Sequence, residues 1–307
     1  MGSGGGSGRY TGPSSPTIET RIQQAKEKEQ QRLDFDVNAF MADILGKFNG
    51  RDRELTAERL GQIETVLSDR VQMDRILLGG SVAKHTEVDG ISDVDALVVL
   101  DRPDLRGATA AVVRQALFDA LNDSLPRGEV ADITVGTLAV TVTYRDGMEI
   151  QLLPAVKSGR TIAIPSGHGG SWNETSPAAF HRELSQANER LRYGLVPAIK
   201  LLKAIVARFP EQKRLSGYHL EALAVDAAKR YTGAATPRAL LLHLLDHAST
   251  RVREPLPDKT GQSRNVDAYL GGANSLARRN VALTFDGMKR RLNAATTVSE
   301  WKAVFED

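Results

Sequence analysis

The chain has 307 residues, 41% of them hydrophobic and 25% charged, with 40 Lys and Arg against 38 Asp and Glu for a net charge of +2. That length supplies core for a two-lobed enzyme or two modest domains, and the even charge excludes a polyanion-binding surface spread over the whole molecule. With no cysteine, disulfides, thiolate zinc sites and a cysteine nucleophile are excluded.

The first 16 residues are rich in Gly and Ser and read as a flexible tail. They lack the apolar core of a signal peptide, and no run of roughly 18 apolar residues occurs anywhere. A cytoplasmic protein without membrane contact is the expectation. Ile18 to Phe48 passes from a charged to an amphipathic helix, with Leu33, Phe35, Val37, Phe40, Met41, Ile44 and Leu45 as its apolar side. Thr56 to Leu67 has the same helical spacing.

The stretch from Ile76 to Leu100 organises the rest. Ile76–Leu78 is a short apolar strand, Gly79-Gly80-Ser81 a turn, and the run after Ser92 a second strand carrying Asp93 and Asp95. Two residues apart on a strand, the aspartates point to one face. Side by side they repel unless a cation sits between them, and a divalent metal is the usual answer. The small residues of the turn let backbone N–H groups approach a bulky anion.

Beyond it, Ala108–Leu121 reads as a helix and Ile133–Tyr144 as strand material. Met148–Ala155 closes a hairpin on it, and Thr161–Ile164 adds a short strand. The remainder is largely helical: Ala178–Leu191, Leu195–Phe209, Gly217–Tyr231, Thr236–Ser249 and Phe285–Ala295. The fold class is therefore α/β plus α. A mixed sheet with flanking and N-terminal helices is expected over 17–165 and a helical lobe over 166–307, with the active site in the cleft between them.

Gly80-Ser81 followed by Asp93-Val94-Asp95 resembles the signature of the DNA polymerase beta superfamily of nucleotidyltransferases. The longer run GGSVAKHTEVDGISDVDALVVL resembles two of its branches. One is the cGAS/DncV-like synthases related to the oligoadenylate synthetases, and the other the archaeal-type tRNA CCA-adding enzymes. The resemblance spans roughly residues 60 to 270, is specific at the Gly-Ser/Asp-x-Asp core and favours the first branch. It implies a Mg²⁺- or Mn²⁺-dependent, template-independent transferase that joins NTPs into a cyclic or short linear second messenger in anti-phage defence. An effector protein answering the product would be its partner, and no long nucleic acid would be required.

By that resemblance Asp93 and Asp95 are metal ligands and catalytic residues, while Gly79, Gly80 and Ser81 hold the triphosphate. Lys84 and Thr86 reach phosphates and Ser92 braces Asp93. The third acid of the superfamily falls on Gln151. Glu149, on the same strand face, is expected as the third catalytic and metal-binding carboxylate, with Gln151 orienting it; the alternative is a solvated Glu149 and a two-acid cage. Lys200 and Lys203, neighbours on one helical face, match the helix that supplies a triphosphate-binding lysine. Ser216 and Tyr218 match a phosphate contact and a base-stacking ring, although Tyr218 also suits packing at a helix start and Lys84 a solvated loop. His219, Trp172, Asn188 and the loop Pro257–Gly261 are read as structural. Gln151 leaves open a nucleotide-binding regulator without chemistry. A transferase modifying tRNA or protein is a further alternative, and the short length without a basic lobe argues against the tRNA form.

Overall fold

The computed structural model describes residues 17–48, 53–71, 73–89, 91, 93–100, 108–158, 161–166 and 171–306. The expected N-terminal tail and Ser92 lie outside these.

Two helices lead in, α1 (Ile18–Phe48) and α2 (Arg53–Val71), followed by strands β1 (Met73–Leu78) and β2 (Val94–Leu100). Helix α3 (Ala110–Ser124) precedes β3 (Val130–Val135), β4 (Val140–Tyr144), β5 (Glu149–Ser158), β6 (Thr161–Pro165) and β7 (Trp172–Thr175). The sheet runs β1-β2-β5-β4-β3, with β6 on β5 and β7 on β6. Only the β2–β5 pair among these is parallel, so the sheet is mixed. Strand β5 pairs with β2 along one edge and is long enough to serve two further neighbours along the other. Its first half pairs with β4 from Glu149 to Leu152, and its last residues pair with β6 from Val156 to Ser158.

The segment 133–144, expected as one strand, is two. Gly136 donates its N–H to the Ala139 carbonyl at 2.8 Å, folding the chain back between β3 and β4. Its apolar alternation continues through the turn, which hides the break.

One sheet face is covered by α2 and α3, where Ile63, Leu67, Leu117 and Leu121 bury Val94, Ala96, Val98 and Leu100. On the other face a small cluster of Val99, Ala155 and Ile164 sits away from the β2 start. The aspartate end of that face is left to the cleft.

The helical half contains α4 (Pro177–Arg190), α5 (Leu195–Ala207), α6 (Gly217–Ala228), α7 (Pro237–Arg251), α8 (Leu276–Ala294) and α9 (Val298–Glu306). Helix α5 is apolar nearly all round and is accordingly the buried axis of this half. Helix α8 begins nine residues before the expected Phe285, capped by Ser275, whose Oγ accepts the Arg278 N–H; α9 and β7 are additions. The packing departs from the expected division of the chain at two points. Val37, Phe40, Met41 and Ile44 of α1 join the helical core rather than the sheet, and β7 carries the sheet on to Thr175.

A buried ion pair ties the C-terminal helices together. The Arg278 guanidinium meets Asp267 at 2.7 Å, both side chains fully buried, and also donates to the carbonyls of Val252, Gly271 and Gly272. Both Asp267 oxygens accept the Leu256 N–H. His219 lies beside this pair, its Nδ1 2.9 Å from the Tyr269 hydroxyl, and burial pushes its pKa down to about 4. That is the structural role expected of it. Trp172 and Asn188 are likewise structural, donating to the Ala108 carbonyl and accepting the Val196 N–H. Removing one member of a fully buried pair strands the other. Asp267→Ala should therefore destabilise the fold by about 3–5 kcal/mol in urea unfolding, and a loss within experimental error would show the pair to be replaceable.

Candidate active site in the cleft between sheet and helices

Asp93 stands at the entry to β2 and Asp95 is its second residue, so strand alternation turns both carboxylates away from the α2/α3 layer. The parallel register sets Asp95 beside Gln151 of β5. The Gln151 side-chain amide donates to Asp93 Oδ2 at 2.7 Å. Burial, and then the Asp93 carboxylate, push the Asp95 pKa up, opposed by Lys84 and by the Ser81 backbone N–H that Asp95 accepts.

The glycine turn is built against this aspartate. Gly79 donates its N–H to the Asp95 carbonyl at 2.8 Å, continuing the β1–β2 ladder by one step. Gly80 then takes φ +51°, and a Cβ there would stand 1.6 Å from Asp95 Oδ2. A side chain at Gly79 would meet only ordinary contacts at 3.6 Å. Gly80 is thus required twice over, for its left-handed backbone and for the space. From Ser81 the chain coils tightly, with Ala83 N–H on the Gly79 carbonyl and Thr86 N–H on the Ser81 carbonyl.

The opposite wall is helical and cationic. Lys203 of α5 is 5% exposed and Lys200 likewise, so each needs a partner. Lys200 takes Glu87 at 3.7 Å. Lys203 takes Glu221 Oε1 of α6 at 2.8 Å and also donates to the Thr86 carbonyl at 3.0 Å. Lys84 Nζ meets the other Glu221 oxygen at 2.6 Å. Although burial works against its charge, the two lysines hold the Glu221 pKa below the usual carboxylate range. Lys84 also lies 5.4 Å from the Phe180 ring centre and 5.5 Å from that of Tyr218.

Tyr218 packs edge-on against Phe180 at 5.0 Å and donates its hydroxyl to Asp258 Oδ1 at 2.7 Å. Asp258 is in turn held by Thr260 and Ser263 within the loop after Pro257. Ser216 caps α6, its Oγ accepting the His219 N–H.

A cleft of about 390 Å³ gathers Gly80, Ser81, Lys84, Asp93, Asp95, Lys203 and Tyr218 from the expected set. Gln151 is attached to it through Asp93, while Gly79 and Ser216 flank its lining. Lys200 is not part of that lining; it serves Glu87. Glu149 pairs across to Thr143 of β4, whose hydroxyl lies 3.5 Å away. Among the described residues, no group of three or more His, Asp or Glu is placed to hold a metal. The oxygen-only pair Asp93/Asp95 nonetheless fits Mg²⁺ or Mn²⁺, ions that keep waters and draw further ligands from phosphates.

Sequence reasoning missed Glu221 and Arg214, both on the cleft. For Glu221 a signal existed: it is the single charge within the apolar run Leu220–Val225, next in space to a helix with two lysines among apolar residues. Arg214 has no comparable signature.

Residues 37–188 match the model of the Second Messenger Oligonucleotide or Dinucleotide Synthetase domain. The chain is 29% identical over 185 residues to the cyclic AMP-AMP-AMP synthase of Escherichia coli (strain MS 115-1), an alignment covering 55% of this chain and 54% of that protein. It thus spans about half the length of that curated relative. Of solved structures, the Bradyrhizobium diazoefficiens CD-NTase CdnG in complex with GTP is similar at a TM-score of 0.70 and 15% identity, over 88% of this chain and 95% of that one. E. coli MS115-1 CdnC with ATP is similar at 0.65 and 20%, over 89% and 97%. At these identities the structures establish the fold. The matched segment, residues 37–188, takes in the glycine turn, both aspartates and β5, and it is this part of the chain that is similar to the Second Messenger Oligonucleotide or Dinucleotide Synthetase domain.

Proposed function

We propose that this protein is a template-independent nucleotidyltransferase that condenses NTPs into a cyclic or short linear oligonucleotide second messenger. The observation that carries this reading is one cleft in which Asp93 and Asp95 face the Gly80–Ser81 turn on one side and the Lys84/Lys203 wall on the other. A cytoplasmic place and a role in anti-phage defence, both implied by the resemblance of the Gly-Ser/Asp-x-Asp core, belong to this reading. The E. coli relative is a cyclic AMP-AMP-AMP synthase, and CdnG and CdnC hold GTP and ATP. A complex of CdnC with a HORMA protein is the precedent for a protein partner, alongside an effector that answers the product.

In the proposed mechanism the donor triphosphate lies along the Ser81 turn, with backbone N–H groups and the Ser81 hydroxyl on its oxygens and the lysines opposite. Lys200, behind Lys203 on α5, supports the positive wall, and Ser216 stands at the α6 N-terminus close to the phosphates. The Tyr218 ring, fixed by Asp258, stacks on a base. Asp93 and Asp95 would hold Mg²⁺ or Mn²⁺, and the ion would supply positive charge against the triphosphate and the leaving pyrophosphate. The third catalytic and metal-binding carboxylate is assigned to Glu149. The register that sets Val94 against Ile150 leads back from Glu149 towards Asp93. Gln151 fixes the Asp93 rotamer. Ser92 is assigned to brace Asp93 by the resemblance alone. Rate enhancement on this scheme comes from positioning and electrostatics.

A second reading has a specific observation behind it. Gln151 occupies the strand position level with Asp95, so triphosphate binding could outlive chemistry and leave a nucleotide-dependent regulator.

Incubation with all four NTPs and Mg²⁺ or Mn²⁺, phosphatase treatment and mass spectrometry should reveal a short phosphodiester product. The product should vanish in the Asp93→Asn/Asp95→Asn double variant. Bound nucleotide without pyrophosphate release would favour the regulator. Gly80→Ala should lose turnover by at least about a hundredfold with the fold retained by circular dichroism, since it displaces an electrostatic group of the site. Gly79→Ala should stay within about threefold. Equal losses at the two glycines would contradict the geometric account. Glu149→Gln should lower kcat by about a hundredfold or more, and unchanged turnover would return the third position to a two-acid cage.

A further inference from the structure

Glu221 is 1% exposed, lies at the junction of sheet and helices, and belongs to no part of the scheme above. Its two oxygens take Lys84 at 2.6 Å and Lys203 at 2.8 Å, and the Thr86 hydroxyl donates to Oε1 at 2.5 Å. Lys84 and Thr86 come from the loop after the glycine turn, Lys203 from α5 and Glu221 from α6. One carboxylate thus fastens the phosphate-side loop to the helical half. Two ammonium groups against one carboxylate leave a surplus of one positive charge, and all three side chains line the cleft.

Before a nucleotide arrives, Glu221 occupies the two cations aimed at its phosphates. We propose that Glu221 is the positioning counter-ion of the phosphate subsite: it holds Lys84 and Lys203 in place and is the partner that a polyphosphate displaces when it binds. This rests on the triphosphate reading of the cleft. Lys84 is the lysine to be drawn away. Its side chain is 13% exposed against 5% for Lys203, and it makes one ion pair where Lys203 also holds the Thr86 carbonyl and hydroxyl. The Phe180 and Tyr218 rings beside its ammonium give it an apolar track along which to move. A purely structural ion pair and a displaced counter-ion make opposite predictions for anion affinity. Removing the carboxylate leaves affinity unchanged or lower in the first case and raises it in the second.

The test uses the full chain, inorganic tripolyphosphate with Mg²⁺ as the calorimetric probe, and KM and kcat for NTPs. Lys203→Met leaves Glu221 paired with Lys84 and Thr86, so the fold is retained. It should weaken tripolyphosphate binding at least about tenfold, the worth of one charge-assisted hydrogen bond. Adding Glu221→Gln to that variant frees Lys84 and should restore binding to within about threefold of the parent, with the KM for NTP recovering in parallel. Glu221→Gln alone should tighten binding about fivefold or more. Failure of the second substitution to rescue Lys203→Met overturns the proposal, and so does a parent chain that binds no tripolyphosphate. If NTP turnover is intact and rescue fails, this inference alone falls. If rescue succeeds and no NTP is ever consumed, the synthase reading falls and the counter-ion stands.

Discussion

The contact between the glycine turn and Asp95 is the constraint on which the site depends. A backbone hydrogen bond from Gly79 and the absence of a Cβ at Gly80 allow the turn to sit directly on the Asp95 carboxylate. The N–H groups that can hold an anion are thereby brought alongside the carboxylates that can hold a cation. Neither set works for phosphate chemistry alone, because like charges on the substrate and the acids would repel. The parallel pairing of β2 with β5 then fixes what stands beside the aspartates, and here it brings an amide, Gln151, rather than a third acid.

Charge burial organises the helical half. Helix α5 is submerged, and its two lysines sit in surroundings where an isolated cation would be untenable. Each is answered by a glutamate, Glu87 from the loop between β1 and β2 and Glu221 from α6. Because Glu87 and Thr86 are contributed by the sheet side, these pairs also serve as the seam between the two halves. Asp267 and Arg278 perform the equivalent task further from the cleft, tying the loop after α7 to α8. Such pairs contribute directionality more than net stability, since desolvation offsets much of their attraction.

Much of the fold was legible because its elements have strong local signatures. The amphipathic spacing of α1 and the apolar run of α5 each specify a helix without reference to neighbours. The elements that escaped are those with weak local signals. The start of α8, Leu276 to Thr284, is polar on much of its surface, β7 is a four-residue edge, and the β3–β4 turn is marked by a single glycine.

The sequence by itself determined the chemistry of the site: a Gly-Gly-Ser turn, two aspartates on one strand face, and the lysines of the Leu195–Ala207 helix. Those signals are short-range, fixed by strand alternation and helical spacing. Only tertiary structure decided how the charges pair. Lys200 and Lys203, equivalent by helical spacing, are divided between Glu87 and Glu221, so that one lines the cleft and the other does not. Glu221 itself acquires its place only when α6 packs against α5 and the loop carrying Lys84 and Thr86 folds onto both. The partner of a buried charge is set by long-range packing, and no local spacing encodes it.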